Sequence, residues 1–168
     1  AVTIPTAMPP GSYLLLACAD DAKVIGEGNE TNNCLASATL VTVALPDLSM
    51  TMVSNPGGPF PRGASFTVSD TVVNDAPVDT GKASTTRYYL SLNGTKDTAD
   101  RLLTGSRAVP ILGPAGERVG LVTVTIPATT VPGTYIVFAC ADDLRAILEA
   151  SETNNCRASA ATVVVARP

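Results

Sequence analysis

Histidine and tryptophan are absent from the 168 residues, and aromatic side chains make up only 4% of them. Without histidine, neither a Ser-His-Asp nor a Cys-His nucleophile can be assembled, because both need an imidazole to take the proton. Acid and base work is left to carboxylates, and these gather on tight loops rather than across a cleft. No enzymatic activity is expected. Basic residues are also scarce, 11 Lys and Arg against 15 Asp and Glu. They form no cluster, which excludes the phosphate-neutralising face of a nucleic-acid binder. The longest apolar run, Tyr13 to Ala19, is strand-sized and falls well short of the ~18–20 residues of a spanning helix, so no membrane insertion is expected. The chain opens at Ala1 with no signal peptide in view, and any targeting segment is expected to have been removed or to lie upstream.

What the composition supplies is Val, Thr, Ala, Gly and Pro, a mixture suited to strands and turns. Its arrangement repeats. Residues 1–46 align without a gap on 123–168, with about half the pairs identical, and Cys18 falls on Cys140 and Cys34 on Cys156 at an offset of 122. A unit of that length is an ordinary domain. Residues 47–168 are therefore expected to be one complete domain, and residues 1–46 the last three strands of another. A 46-residue piece buries too little surface to stand alone. Its missing half is expected either upstream in the native polypeptide or on another chain.

The cysteines recur at the same spacing in both copies, which predicts two local disulfides, Cys18 with Cys34 and Cys140 with Cys156. A zinc site is the alternative, but pairs so far apart, without His or a C-x-x-C, suit zinc poorly. Disulfides imply an oxidising, extracytoplasmic compartment.

Seven strands are read in the complete domain, over 47–54, 64–73, 87–92, 102–112, 119–126, 135–140 and 156–165. Leu48, Met50 and Met52 alternate onto one face of the first, and Phe66 and Val68 begin the alternation of the second. Asn93-Gly94 signals a hairpin, and Pro132-Gly133 a turn. With no amphipathic helix pattern, these strands indicate an all-β fold, an immunoglobulin-like antiparallel β-sandwich. The cysteines then sit at facing ends of the last two strands, where the disulfide closes a hairpin rather than joining two sheets.

Several of these segments together resemble a known family. Pro46-Asp-Leu48, Tyr88-Tyr-Leu-Ser-Leu92, Pro132-Gly-Thr-Tyr135 and Cys140-Ala-Asp-Asp143, followed by Glu149 and Glu152-Thr-Asn-Asn-Cys156, are similar to the cell-adhesion-related domain found in bacteria, CARDB. The likeness covers 47–168, and 1–46 resembles the end of the same domain. It implies an immunoglobulin-like sandwich on secreted or surface proteins of bacteria and archaea, often in tandem arrays, and brings no catalytic residues with it.

The acidic loop between the cysteines is the candidate site. Asp142, Asp143, Glu149, Glu152, Asn154 and Asn155 offer oxygen ligands within one closed loop, and Asp20, Asp21, Glu27, Glu30, Asn32 and Asn33 hold the same places in the first copy. Calcium takes six to eight such oxygens, and it is the one cofactor this sequence suggests, although the spacing is not that of an EF-hand. The other reading is that Asp and Asn cap the turn's own backbone while the glutamates are solvated. Asp97 and Asp100, in the loop after Asn93, carry the same two readings.

Two functional expectations follow. One is a spacer, adhesion or assembly module whose partners are neighbouring repeats, copies of itself in a head-to-tail fibre, or a surface ligand; an excerpt from an array explains the half-domain equally well. The other is a calcium-dependent binding module appended to a secreted enzyme or adhesin. Arg167-Pro168 aligns with Leu45-Pro46, just ahead of the Asp-Leu that opens a repeat, so the chain is expected to continue.

Overall fold

The computed structural model describes residues 1–5 and 7–167; Pro168 and its alignment with Pro46 lie outside the described residues. Strands and connecting turns make up the described residues, with no helix among them. Contacts divide the chain into two compact units, Ala1–Ala44 and a second beginning at Leu45. The division falls two residues before the expected one because the Pro46 carbonyl already accepts the Ala150 N–H of the second unit, at 2.9 Å.

Among the described residues, the first unit is a single antiparallel hairpin of β1 (Gly11–Cys18) and β2 (Cys34–Val43), running from Gly11 opposite Val43 to Cys18 opposite Cys34. Two strands stand where three were expected. Residues 1–5 align only with the tail of a strand that, in the second unit, is held by two neighbours with no counterpart in the first.

The second unit has two layers. One holds β3 (Leu48–Ser54), β5 (Ser65–Asn74) and β8 (Glu117–Thr125); the other holds β7 (Arg101–Val109), β6 (Ser84–Ser91), β9 (Gly133–Cys140), β10 (Cys156–Ala166) and the short β4 (Phe60–Pro61). All pairings are antiparallel except β10 with β4. The layers are bridged at one pair, Thr104 opposite Thr125. Gly105 permits this. Its φ of 120° is open to glycine, and a Cβ there would stand 2.7 Å from the Thr123 carbonyl oxygen.

Alternating side chains fill the space between layers: Leu48 and Met50, Phe66, Val68 and Val72, Tyr88 and Leu90, Val124, Tyr135 and Val137, Val163 and Val165. Burying a side chain of this size is worth ~1.5–3 kcal/mol. A register shift between Met50 and Met52 corrects one expectation, since the extra residue turns Met52 aside and buries Val53. The Asn93 hairpin is likewise longer than a two-residue turn, spanning 92–100 between β6 and β7. β7 ends at Val109 rather than 112, because Leu112 leaves the ladder and its N–H donates to Thr80 Oγ1 at 3.0 Å.

Candidate functional site

Both disulfides form as the spacing predicts, each across a directly opposed pair of strand ends, with Cα atoms 4.1 Å apart for Cys18–Cys34 and 4.0 Å for Cys140–Cys156. The loop they close is built the same way twice. Asp142 accepts the N–H groups of Ala146 at 3.1 Å and Ile147 at 2.8 Å, and Asp20 accepts those of Val24 at 2.9 Å and Ile25 at 2.8 Å. The two aspartates have φ of 39° and 43°, in the left-handed region that Asp tolerates. The equivalence extends to the strands: Ser159 and Ser37 each accept a strand N–H, from Val137 and Leu15, and Tyr135 and Tyr13 each donate to a carbonyl four residues back.

In the second unit the loop reaches out of its own hairpin. Glu149 accepts the Leu48 N–H at 2.5 Å with one carboxylate oxygen and Asn155 Nδ2 at 2.9 Å with the other. Asn154 Nδ2 donates to Asp47 at 3.0 Å, and the Asn154 carbonyl accepts the Met50 N–H at 3.2 Å. The last hairpin is thereby fastened to the start of β3. Burial pushes the Glu149 carboxyl up to about 7, with Glu152 and Asp142 adding to the rise and its two hydrogen-bond donors opposing it.

The six predicted oxygen donors of this loop are thus divided. Asp142, Asp143, Glu152 and Asn155 line a cleft of about 430 Å³ that also holds Lys96 and Arg145, while Glu149 and Asn154 are engaged with the start of β3. Asp143 takes the Tyr89 hydroxyl at 2.6 Å and pairs with Arg87 at 3.1 Å, and Glu152 stands 4.0 Å from Arg145. In the first unit Asp20, Asp21, Glu30 and Asn33 line a smaller cleft of about 60 Å³ with Lys23, and Glu27 and Asn32 are exposed. Among the described residues, no three Asp, Glu or Cys side chains converge as metal ligands. Asp97 and Asp100 cap their own loop: Asp97 accepts from Asn93 and Ala99, and Asp100 from the Asp97 N–H.

Two features escaped the sequence reading. Tyr89, with Lys96 stacked 3.9 Å from its ring centre, is pushed up to about 12 by burial and then by Asp143. Deeper in, Asp70 on β5 is fully buried, accepts the Tyr88 hydroxyl at 2.6 Å and pairs with Arg107 of β7. The guanidinium crosses β8 where Gly120 leaves room, since a Cβ there would collide with Arg107 Nε. A signal for this existed: in the alternation Phe66, Val68, Asp70, Val72, the aspartate occupies an inward position.

No protein-family model and no curated protein matches the chain. Among solved structures it is similar to the solution structure of the CARDB domain of a Pyrococcus furiosus protein, at 22% identity over 74% of this chain and 100% of that one, with a TM-score of 0.50. It is similar also to the crystal structure of that domain in complex with di-metal ions, at 21% identity over 73% of this chain and 90% of that one, again with a TM-score of 0.50. The chain has the all-β, immunoglobulin-like fold of a CARDB domain.

Proposed function

We propose that the chain is a non-enzymatic structural or adhesion module of a secreted or cell-surface prokaryotic protein, repeated in tandem and joined to its neighbours by strand complementation. One observation carries this reading. The polar side chains of the disulfide-closed loop, the best candidates for chemistry, are spent on the fold: Asp142 on the loop backbone, Asp143 on β6, Glu149 and Asn154 on the start of β3. Such a loop stiffens a domain end. Its disulfides suit an oxidising exterior. Immunogold labelling of the source cells, with antibody raised to this chain, tests the assignment. Label on the envelope or in shed material is expected, and label confined to the cytoplasm would overturn it.

A second reading, a calcium-dependent binding module on a secreted enzyme or adhesin, is supported by the metal-bound Pyrococcus domain and by the four oxygen donors lining the Asp142 cleft. Lys96 and Arg145 in the same cleft weigh against a dication. Calorimetry with calcium chloride on the whole chain separates the two readings. Heat of binding that is lost on Glu152→Gln supports calcium, and no heat with no rise in melting temperature sinks it.

A further inference from the structure

The two units present the same hairpin, once covered and once largely open, with Val2 to Pro5 and Met8 at the rim of its apolar face. Tyr135, Val137, Val163 and Val165 lie in the core of the second unit, and their equivalents Tyr13, Leu15, Val41 and Val43 line an apolar hollow of about 210 Å³ on the first. Leu15 is 48% exposed where Val137 is 0%, and Ile25 is 65% exposed where Ile147 is 5%. The strand edge repeats the pattern. Ile136 to Cys140 of β9 pair with Ser91 to Arg87 of β6, while β1, whose Leu14 to Cys18 are equivalent, pairs among the described residues with β2 alone.

The polar groups around this face repeat as well. Asp143 binds Arg87 and Tyr89, Glu149 binds the Leu48 N–H, and Asn154 binds Asp47; their equivalents Asp21, Glu27 and Asn32 are exposed. We infer that the inner face of the β1–β2 hairpin and the free edge of β1 are the docking surface for a half-sandwich of the β3 to β8 type, with Asp21, Glu27 and Asn32 as its recognition groups. This inference rests on the tandem reading above.

The register is fixed by the covered copy. An Arg-Tyr-Tyr-Leu-Ser strand runs antiparallel along 14–18 with its arginine opposite Cys18, and that arginine and the second tyrosine engage Asp21. The Asp-Leu start of a first strand places an N–H on Glu27 and a carboxylate on Asn32. Charge and shape both match, since each pairing already exists once in this molecule. Copies of residues 1–168 contain two such hairpins for every complementary half, so the occupant inferred is the half-sandwich of another repeat.

The test is an extension of the whole chain. Residues 45–122 are duplicated in frame ahead of Ala1, so that residue 122 is followed by Ala1 as it is elsewhere by Thr123. Hydrogen exchange of the amides of 14–18 is expected to slow to the rates of 136–140, and binding of an apolar dye is expected to fall. Asp21→Ala and Glu27→Ala should each speed that exchange by up to about tenfold in the extended chain and leave the unextended chain unchanged. A duplicate lacking one residue within its copy of 87–91, which turns the wrong face of that strand inward, should fail to protect.

Exchange of 14–18 that is the same with and without the extension overturns the docking surface. Protection that ignores the two substitutions overturns the recognition groups. Protection of 14–18 in the unextended chain on raising its concentration identifies a second copy as the occupant and overturns the assignment to another repeat. Failure here is distinguishable from failure of the module assignment, which the immunogold result decides independently.

Discussion

Replacing Glu149 by Gln should stabilise the protein at pH 8 and remove a pH dependence that the wild type shows. The carboxyl is only 5% exposed, and burial raises it from an ordinary 4.5 to about 7. Because the folded value lies above the unfolded one, the fold retains a proton that the unfolded chain releases. The stability this group contributes is therefore whole below about pH 4.5 and is lost as pH rises through 7. Such a shift corresponds to about 3 kcal/mol. Solvent around this surface loop screens it to about 2 kcal/mol. The substituted amide stays neutral and keeps an oxygen for the Leu48 N–H; its NH2 stands where Asn155 Nδ2 now donates, so the Asn155 amide turns over to accept with its Oδ1, which otherwise lacks a partner. Urea unfolding of both proteins between pH 4.5 and 8 measures the effect. The curves should converge at the acid end and separate by about 2 kcal/mol, in favour of the variant, at the alkaline end. Parallel curves, or a variant weaker at pH 8, would refute the reasoning.

Gly120→Ala forces the guanidinium off Asp70 and leaves a buried carboxylate with only the Tyr88 hydroxyl, a loss of about 3 kcal/mol in denaturant unfolding; a change below about 1 kcal/mol contradicts the account. Reduction of the Cys140–Cys156 bond, which closes a separation of 16 residues, should cost about 3 kcal/mol by the chain-entropy estimate, read as a fall in the urea midpoint with reductant. In an ultraviolet titration Tyr89 should ionise near pH 12 and Tyr88 above that range, both held up by burial and then by a neighbouring aspartate. Ionisation of all four tyrosines near pH 10 would count against both contacts. Tyr135→Phe removes the bond to the Val131 carbonyl and should cost about 1 kcal/mol, whereas Tyr13→Phe should leave the melting of the second unit unchanged.

The fold was legible where a local rule governs. Period-two alternation, bounding turn residues and, for 135–140, a continuous apolar run located the long strands of the second unit, and the repeated spacing paired the cysteines, because strand faces and short loops are set by neighbours in sequence. Legibility ended where distant residues meet. The capping role of Asp142 was readable as a turn habit, but Glu149 looked like a solvated acid because its partner, Leu48, is 101 residues away. Asp70 lay on the inward face by alternation, yet nothing local announced that Arg107 would cross β8 to reach it. The Met50 to Met52 shift was hidden for the same reason, since bulges answer to the opposing strand rather than to their own residues.

The tie between Glu149 and Leu48 also bears on the order in which such a protein is made. A strand that leads its domain cannot be fastened until the loop before Cys156 exists, so during synthesis the sandwich stays unlatched until nearly all of it has emerged. Long-range closures of this kind are slow relative to local ones. In an array of near-identical repeats, slow closure invites a strand to enter the wrong neighbour. A latch made by the last hairpin on the first strand of its own domain seals this sandwich as it is completed.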